Sequence, residues 1–258
     1  MSSTAVTGAS LTVRALQGVG EILPGCDLAA TIMDALSAGG LRLEPQDVLV
    51  VAQKAVSKAE GRFLRLDEVE PSPRAVELAR VTGKDPRLVE VILGESSEVL
   101  RARPNVMIVR HRLGYVMAQA GVDRSNVPGD DRVLLLPVDP DGSAERLRDR
   151  LRAACGVEVG VIVSDSFGRP WRLGTTNVAI GAAGVPALWD RRGEVDREGR
   201  ILETTQVAWA DAVAAAAGLA MGEAAEGTPA VLVRGLRWTL TTQPARALLR
   251  PLEEDMFR

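Results

Sequence analysis

The hydrophobic pattern predicts a buried central strand that runs directly into polar residues. In the stretch VEVGVIVSDSFGRPWRLGTTNVAIGAAG, which covers residues 157–184, every second position from Val157 to Val163 is a valine and the positions between are mostly small or apolar. Such a run is typical of a strand buried on one or both faces. We expect the strand to end at Ser164–Ser166 and to break at Gly168. A second apolar run follows at Val178–Ile180.

The remaining apolar runs predict alternating strands and helices. Strands are expected at Leu11–Leu16, Asp47–Ala52, Val106–Val109, Tyr115–Ala118, Leu134–Pro137 and Ala230–Val233. Helices are expected after an N-cap at Asp27, at Pro73–Arg80, at Asp85–Leu93, from Pro140 to a stop at Gly156, at Thr204–Met221, and from Ala245 towards a tail ending at Arg258. This order is mixed α/β without a regular βαβ repeat, so pattern alone predicts a generic α/β sandwich.

Composition narrows the class of protein. The 258 residues are 46% hydrophobic and 25% charged, the balance of a globular protein with ample core. A formal net charge of -3 gives no sign of a nucleic-acid partner. No secretory signal and no apolar run of membrane-spanning length is evident, so we expect no membrane partner and a cytoplasmic location. Residues 1–10 are expected to form a flexible tail.

Cysteine and histidine usage limits the chemistry further. Cys26 and Cys155 are far apart, which argues against a disulfide scaffold and against a CxxC metal site. His111 is the single histidine, which excludes multi-histidine zinc sites, and its arginine neighbours suggest a surface position. Any metal is therefore expected to be bound by oxygen atoms, which favours Mg²⁺ or Mn²⁺.

Polar residues at the end of the central strand are the first candidate site. The carboxylate of Asp165 and the hydroxyl of Ser166 can bind a hard cation. The guanidinium groups of Arg169 and Arg172 can bind phosphate or carboxylate. The alternative is structural, since Asp165 would equally suit a turn in which it pairs with a nearby arginine.

Other polar segments have two interpretations each. Lys54 and Lys58 follow a buried strand and either reach phosphates or lie on an exposed edge. The loop 120–126 offers oxygen ligands from Asp123 and its neighbours, or is an ordinary turn. Glu223, at the end of a helix, is a third candidate acidic ligand. Neither GxxxxGK[ST] nor GxGxxG is present, so the common phosphate-binding loops are absent.

Five blocks together resemble a known family. They read DVLVVAQKAVSKAEGR, AGVDRSN, LLLPVDPDGSAERLR, VIVSDSFGRPWRLGTTNVAIGAAG and MGEAAEGTPAVLVRG, in this order. The chain is similar to the coenzyme F420-0:L-glutamate ligase family from about Leu11 to about Phe257. It also resembles the N-terminal domain of the fused actinobacterial enzyme of the same pathway. The resemblance implies one ligase domain over residues 11–258, with an α+β mixed-sheet fold of this ligase type and an intertwined homodimer.

The resemblance also implies a reaction. Members add L-glutamate to coenzyme F420-0, a deazaflavin with a phospholactate tail, and then add further γ-linked glutamates. They use GTP, two divalent ions (Mn²⁺ or Mg²⁺) and K⁺ as an activator. The expected course is phosphorylation of the acceptor carboxylate, followed by attack of the glutamate amine on the acyl phosphate.

Residue roles carry over position by position. Asp123 and Asp165 match ligands of the first metal, and Ser166 and Glu223 those of the second. The positions that match the GTP site are Val19, Gly20, Glu21, Ile22, Gln53, Lys54, Lys58, Asn126, Met221, Gly222, Glu223, Ala224, Ala225, Glu226, Gly227 and Thr228. Arg169 and Arg172 are assigned to a substrate phosphate or carboxylate on their own chemistry.

Two positions depart from the family pattern. The first loop reads Val19-Gly20-Glu21 where relatives often have Leu-Pro-Glu, and Gln53 replaces a small hydroxyl residue. Two rival hypotheses also stand beside the ligase. In the first, the chain is a catalytically inactive GTP- or deazaflavin-binding partner; the intact set Asp123, Asp165, Ser166 and Glu223 argues against it. In the second, the chain is a ligase for a different acceptor or nucleotide.

Overall fold

A five-stranded mixed sheet forms the centre of the protein. The computed structural model describes residues 10–127, 129, 131–239 and 241–255, and the predicted tail 1–10, except Ser10, lies outside them. The sheet order is β1-β12-β2-β8-β9. Strands β2 and β8 are parallel, whereas the other neighbours are antiparallel. The bounds are β1 Thr12–Ala15, β2 Val48–Ala52, β8 Gly160–Arg169, β9 Arg172–Ala183 and β12 Ala230–Arg234.

Helices cover both faces of this sheet because its strands alternate between two apolar cores. In β2, Leu49 and Val51 face one core, and Val48 and Val50 face the other. The first core is completed by α1 (Leu28–Ala38), α2 (Gln53–Ala59) and α5 (Pro140–Cys155), and the second by α6 (Trp209–Met221). The predicted sandwich is thereby confirmed, with an α+β arrangement around a mixed sheet.

A second group of elements surrounds a third apolar core. It comprises α3 (Pro73–Thr82), α4 (Pro86–Gly94), β4 (Ser96–Arg103) and β5 (Val106–His111). Strand β6 (Val116–Ala118) extends the sheet of β4 and β5, and its Met117 packs in the first core. The hairpin predicted at residues 106–118 is confirmed by antiparallel pairing of β5 with β6. Two small ladders complete the fold: β3 (Phe63–Arg65) with β7 (Arg132–Leu134), and β10 (Leu188–Asp190) with β11 (Gln206–Ala208).

The sequence predicted the ends of two helices correctly. Asp27 caps α1 by accepting a hydrogen bond from the amide of Ala30. Gly156 ends α5 with a φ of 73°, a conformation that favours glycine. None of the helices formed by described residues combines the length and the hydropathy that a bilayer span requires.

Several predicted boundaries are wrong. Strand β8 does not break at Gly168 but continues to Arg169, because β9 pairs with it along that length. The predicted strand Leu134–Pro137 is displaced to β7, and Pro137 has no amide to donate to a ladder. Helix α6 begins at Trp209 because residues 206–208 pair with β10. Instead of a C-terminal helix there are two 3₁₀ turns, Ala245–Leu248 and Leu252–Glu254, separated by Pro251.

The expected surface position of His111 is also wrong, since its side chain is fully buried. In β5 the inward positions are Met107, Val109 and His111, so the strand period carries the ring into the core. Its Nδ1 accepts a hydrogen bond from the amide of Leu113, and its Nε2 lies 3.5 Å from a carboxylate oxygen of Glu95. The arginine neighbours misled the prediction because adjacent strand residues point to opposite faces.

Candidate functional site

Strand β2 ends at Ala52, which pairs with Ser164 of the parallel strand β8, beside a cavity of about 390 Å³. The carboxyl ends of parallel strands are a common place for ligands in open α/β sheets, and the volume lies within the usual range for small-molecule sites. Its wall is formed by Gly20, Glu21, Ile22, Ala52, Gln53, Lys54, Ala55, Lys58, Asn126, Ser164, Asp165, Ser166, Asn177 and residues 221–229. Most of the predicted site residues are therefore brought together.

Asp165 is the most perturbed carboxyl group of this cavity. Burial raises its pKa to about 7, and the negative charges of Asp123 and Glu223 act in the same direction. The amide of Ser166, which donates to Oδ1 of Asp165 at 2.9 Å, and the charge of Lys54 oppose the shift. Within the described part of the chain Asp165 forms no ion pair. A cation bound beside it would therefore offset an unfavourable burial of charge.

Asp123 lies behind the cavity wall and is held by Lys54. The ammonium nitrogen of Lys54 lies 2.7 Å from Oδ2 of Asp123 and 2.6 Å from the hydroxyl of Ser125. The amide of Ser125 donates to Oδ1 of Asp123 at 2.7 Å. Burial alone would raise the pKa of Asp123, but the hydrogen bond and charge of Lys54 bring it below its ordinary value. Asp123 is thus ionised at neutral pH.

The segment 221–228 closes one side of the cavity. The amide nitrogen of the Asn126 side chain donates to the carbonyl of Ala224 at 3.4 Å, and the hydroxyl of Thr228 donates to the carbonyl of Met221 at 2.7 Å. The backbone amide of Ala224 donates to a carboxylate oxygen of Glu226 at 2.8 Å. These bonds hold a loop that bends at Gly222 with a φ of 78°.

The loop 19–22 forms the opposite rim. Val19 and Ile22 are buried and anchor it in the core, and Gly20 and Glu21 are exposed between them. Val19 does not reach the cavity wall, in contrast to the other three residues. Gly20 has a φ of 69°, which proline cannot adopt because its ring fixes φ near −65°. The departure from Leu-Pro-Glu therefore changes the shape of the loop.

Gln53 occupies the other departing position. Its side chain is buried, and its carbonyl oxygen accepts a hydrogen bond from the hydroxyl of Ser57 at 3.0 Å. Both residues lie in α2, one turn apart. The hydroxyl group that the family pattern expects at position 53 is thus replaced by an amide already engaged within the helix.

Arg169 and Arg172 are not brought into the cavity. They lie at the tip of the β8–β9 hairpin, where Arg169 donates to the carbonyl of Gly174 at 3.2 Å. Because β8 continues past Ser166, Arg169 is about 13 Å further along the strand than Asp165. The prediction that both arginines lie beside the Asp165 carboxylate is therefore wrong, and any role in substrate binding stays a prediction.

Two polar residues of the cavity wall, Ser164 and Asn177, were not assigned to the site by sequence reasoning. Asn177 is buried in β9 directly opposite Ser166, so both side chains point to the same face of the hairpin. Ser164 is buried, and its hydroxyl has no hydrogen-bond partner among the described residues. The one sequence feature that could have indicated Asn177 is its polar side chain directly before the apolar run 178–180.

The donor set of the cavity suits a hard divalent cation. Asp165, Ser166 and Glu223 present oxygen atoms at its wall, with Asp123 close enough to raise the pKa of Asp165. Among the described residues, however, no three His, Cys, Asp or Glu side chains converge into a complete metal cluster. The residues therefore fit an ion whose remaining ligands come from a phosphate group or water, as is usual for Mg²⁺.

Comparisons with known proteins identify relatives of this chain. A family model described as F420-0:Gamma-glutamyl ligase matches residues 18–235. A protein of Methanothermobacter thermautotrophicus, named coenzyme F420:L-glutamate ligase, is 48% identical over 250 residues, which is 96% of this chain and 99% of the relative. Proteins with the same name from Methanopyrus kandleri and Haloarcula marismortui are 52% identical over 242 residues (92% and 94%) and 46% identical over 254 residues (96% and 96%).

Proposed function

The chain belongs to the F420-0:gamma-glutamyl ligase family, and from this premise we propose that it ligates L-glutamate to coenzyme F420-0 with GTP as the energy source. Further γ-linked glutamates are then added to the product. The observation that carries the proposal is the cavity beside the end of β2, where the half-buried Asp165 of β8 lines the same cavity as Lys54, Lys58 and the segment 221–228. The lysines can bind a polyanion such as a nucleotide phosphate, and the carboxylate of Asp165 can bind a cation.

GTP is assigned to the part of the cavity between the two loops. Lys54 and Lys58, one helical turn apart in α2, offer positive charge for its phosphates. Asn126 and the backbone of residues 221–228 offer hydrogen-bonding groups to the nucleotide, with Gly20, Glu21 and Ile22 on the other side. Gln53 offers the nucleotide its side-chain amide nitrogen, since its side-chain oxygen accepts a hydrogen bond from Ser57.

Two divalent ions, Mn²⁺ or Mg²⁺, are assigned to the acidic wall. Asp123 and Asp165 would hold the first, and Ser166 with Glu223 the second. When bound, such ions neutralise phosphate charge and polarise the phosphoryl group. K⁺ is proposed as an activator, at a position that the described residues do not define.

The proposed reaction has two steps. An oxygen of the acceptor carboxylate attacks the γ-phosphorus of GTP, the bond to the bridging oxygen breaks, and GDP leaves. The amine nitrogen of glutamate then attacks the carbonyl carbon of the acyl phosphate, which expels phosphate and releases a proton. Lys54 and Lys58 balance the charge of the nucleotide throughout, and the low-dielectric wall around Asp165 strengthens these interactions.

We also propose that the protein functions as a homodimer. Trp171 and Leu173, at the tip of the β8–β9 hairpin, are 88% and 100% exposed. Large apolar side chains that are exposed together mark interaction sites more often than free surface. A second copy of the chain covering this tip would remove them from water.

Two alternatives remain as outcomes of one experiment. The purified protein is incubated with F420-0, L-glutamate, GTP and Mn²⁺, and the products are identified by mass spectrometry. Successive glutamyl additions that require GTP and metal support the ligase. Binding of GTP or the deazaflavin without turnover would instead indicate an inactive binding partner. Turnover only with another acceptor or nucleotide would indicate a ligase of different specificity.

A further inference from the structure

Asn177 joins two structural elements to a cavity carboxylate. Its side-chain amide nitrogen donates to Oε1 of Glu223 at 3.2 Å. The side chain is 6% exposed, so it has little access to water as an alternative partner. A hydrogen bond to a charged group is stronger than one between neutral groups. Glu223 itself is exposed and follows the C-terminal end of α6, so this bond to a buried amide is what restricts the position of its carboxylate.

The helix has a gap that receives Asn177. A Cβ atom placed on Gly218 would lie 2.6 Å from the amide nitrogen of Asn177 and 2.7 Å from its Cγ, distances at which the amide must shift. Gly218 lies in the interior of α6, where glycine is less favourable than alanine. The close approach of the Asn177 side chain explains why a glycine occupies this position.

The register of the hairpin adds a second constraint. Asn177 of β9 pairs directly with Ser166 of β8, and both line the cavity. The amide of Asn177 thus lies between Ser166 on the neighbouring strand and Glu223 after the helix. These are the two residues assigned to one divalent ion.

We propose that Asn177 is a positioning residue that holds the Glu223 carboxylate towards Ser166, so that both oxygen donors are oriented before a divalent cation binds. The inference rests on the proposed function, because it takes Ser166 and Glu223 as ligands of that ion. Hydrogen-bonded partners of metal ligands typically contribute 10- to 100-fold in metal affinity, roughly, by fixing ligand orientation. Gly218 supports this arrangement indirectly by leaving room for the amide.

The test compares Asn177→Leu, Gly218→Ala and Leu219→Ala with the unaltered protein. Leucine has the same number of side-chain heavy atoms and the same branching as asparagine but no donor. Gly218→Ala displaces the amide without altering a cavity residue. Leu219 is 92% exposed and adjoins Gly218, so Leu219→Ala is the matched control. Binding of Mn²⁺ alone is measured by electron paramagnetic resonance of the free ion, and thermal unfolding verifies that each variant is folded.

The proposal predicts that Asn177→Leu and Gly218→Ala weaken Mn²⁺ binding at one site by about 10- to 100-fold, whereas Leu219→Ala leaves it unchanged. In the ligation assay the Mn²⁺ concentration for half-maximal rate rises, and kcat at saturating Mn²⁺ changes little. Unchanged Mn²⁺ affinity in a folded Asn177→Leu or Gly218→Ala protein would overturn it, and so would an unaltered protein that binds no Mn²⁺. If the unaltered protein binds Mn²⁺ and the variants weaken this binding, but no ligation occurs, then the proposed function is refuted and the role of Asn177 is not.

Discussion

The ammonium group of Lys54 lies 2.7 Å from the carboxylate of Asp123, joining the helix after β2 to the loop 120–126. The two side chains are 29% and 35% exposed. An ion pair this accessible typically contributes about 0–1 kcal/mol to stability. Its importance therefore lies in the arrangement of the cavity, where it holds a carboxylate near Asp165 and a cation near the assigned phosphates.

Lys58 provides the simplest test of the nucleotide assignment. Within the described residues it forms no ion pair, so its charge is available to a ligand. We expect Lys58→Ala to raise the KM for GTP by about 10- to 100-fold, from the loss of a charge-assisted hydrogen bond, with little change in thermal stability. Lys84→Ala, outside the cavity wall, is the control and should change neither quantity. An unchanged KM for GTP in Lys58→Ala would remove this residue from the nucleotide site.

Asp165 predicts a defined pH dependence of stability in the metal-free protein. Its folded pKa of about 7 exceeds the ordinary value of 3.8, so the folded state binds the proton more tightly than the unfolded state. Ionisation of Asp165 therefore lowers the free energy of unfolding progressively as pH rises from about 4 to about 7, and this loss reaches its full size above pH 7. We expect Asp165→Asn to abolish ligation, yet to unfold at a higher temperature than the unaltered protein at pH 8.

The same pair of proteins supplies the controls. At pH 4 the stability difference should shrink, because Asp165 is then protonated in the folded state and no longer carries a charge that opposes folding. Added Mn²⁺ should stabilise the unaltered protein at pH 8 more than Asp165→Asn, since ligands that bind the folded state raise its stability. A variant that is less stable than the unaltered protein at pH 8, or that ligates normally, would contradict the role given to this carboxylate.

Gly20 tests whether the shape of the first loop matters for GTP. With a φ of 69°, the position accepts asparagine at small cost, whereas proline requires the loop to rearrange. Gly20→Pro should therefore raise the KM for GTP, and Gly20→Asn should stay close to the unaltered protein. Both variants keep the buried loop anchors Val19 and Ile22 unaltered in sequence. Equal nucleotide affinity in Gly20→Pro would show that the rim contributes little to binding.

The proposed dimer is tested by the exposed hairpin tip. Replacing Trp171 and Leu173 by serine removes the apolar surface that a second copy would cover. Light scattering coupled to size-exclusion chromatography should show a dimer for the unaltered protein and a shift towards monomer for the double variant. Leu252→Ser, at a half-exposed position in the last 3₁₀ turn, is the control. A monomeric unaltered protein would refute the dimer directly.

Local signals account for what the sequence predicted. The strand over 47–52 and the cap at Asp27 follow from residues adjacent in the chain, and the structure has both. Continuation of β8 past Gly168 depends instead on pairing with β9 across the hairpin turn, and burial of His111 depends on which face of β5 meets the third core. The position of Arg169 follows from that continuation of β8. Asn177 escaped notice because its significance arises only when β9 meets α6 and Glu223.

The most direct test follows oxygen atoms through the reaction. F420-0 labelled with ¹⁸O in both carboxylate oxygens is incubated with the protein, GTP, L-glutamate and Mn²⁺, and the released phosphate is analysed by mass spectrometry. Transfer of the γ-phosphoryl group to the acceptor predicts one ¹⁸O in the phosphate released by the first glutamyl addition to each F420-0, with GDP as the other product. Later additions activate the unlabelled carboxylate of an added glutamate and release unlabelled phosphate. Unlabelled phosphate from the first addition, or ¹⁸O in GMP, would contradict activation of the acceptor carboxylate as an acyl phosphate.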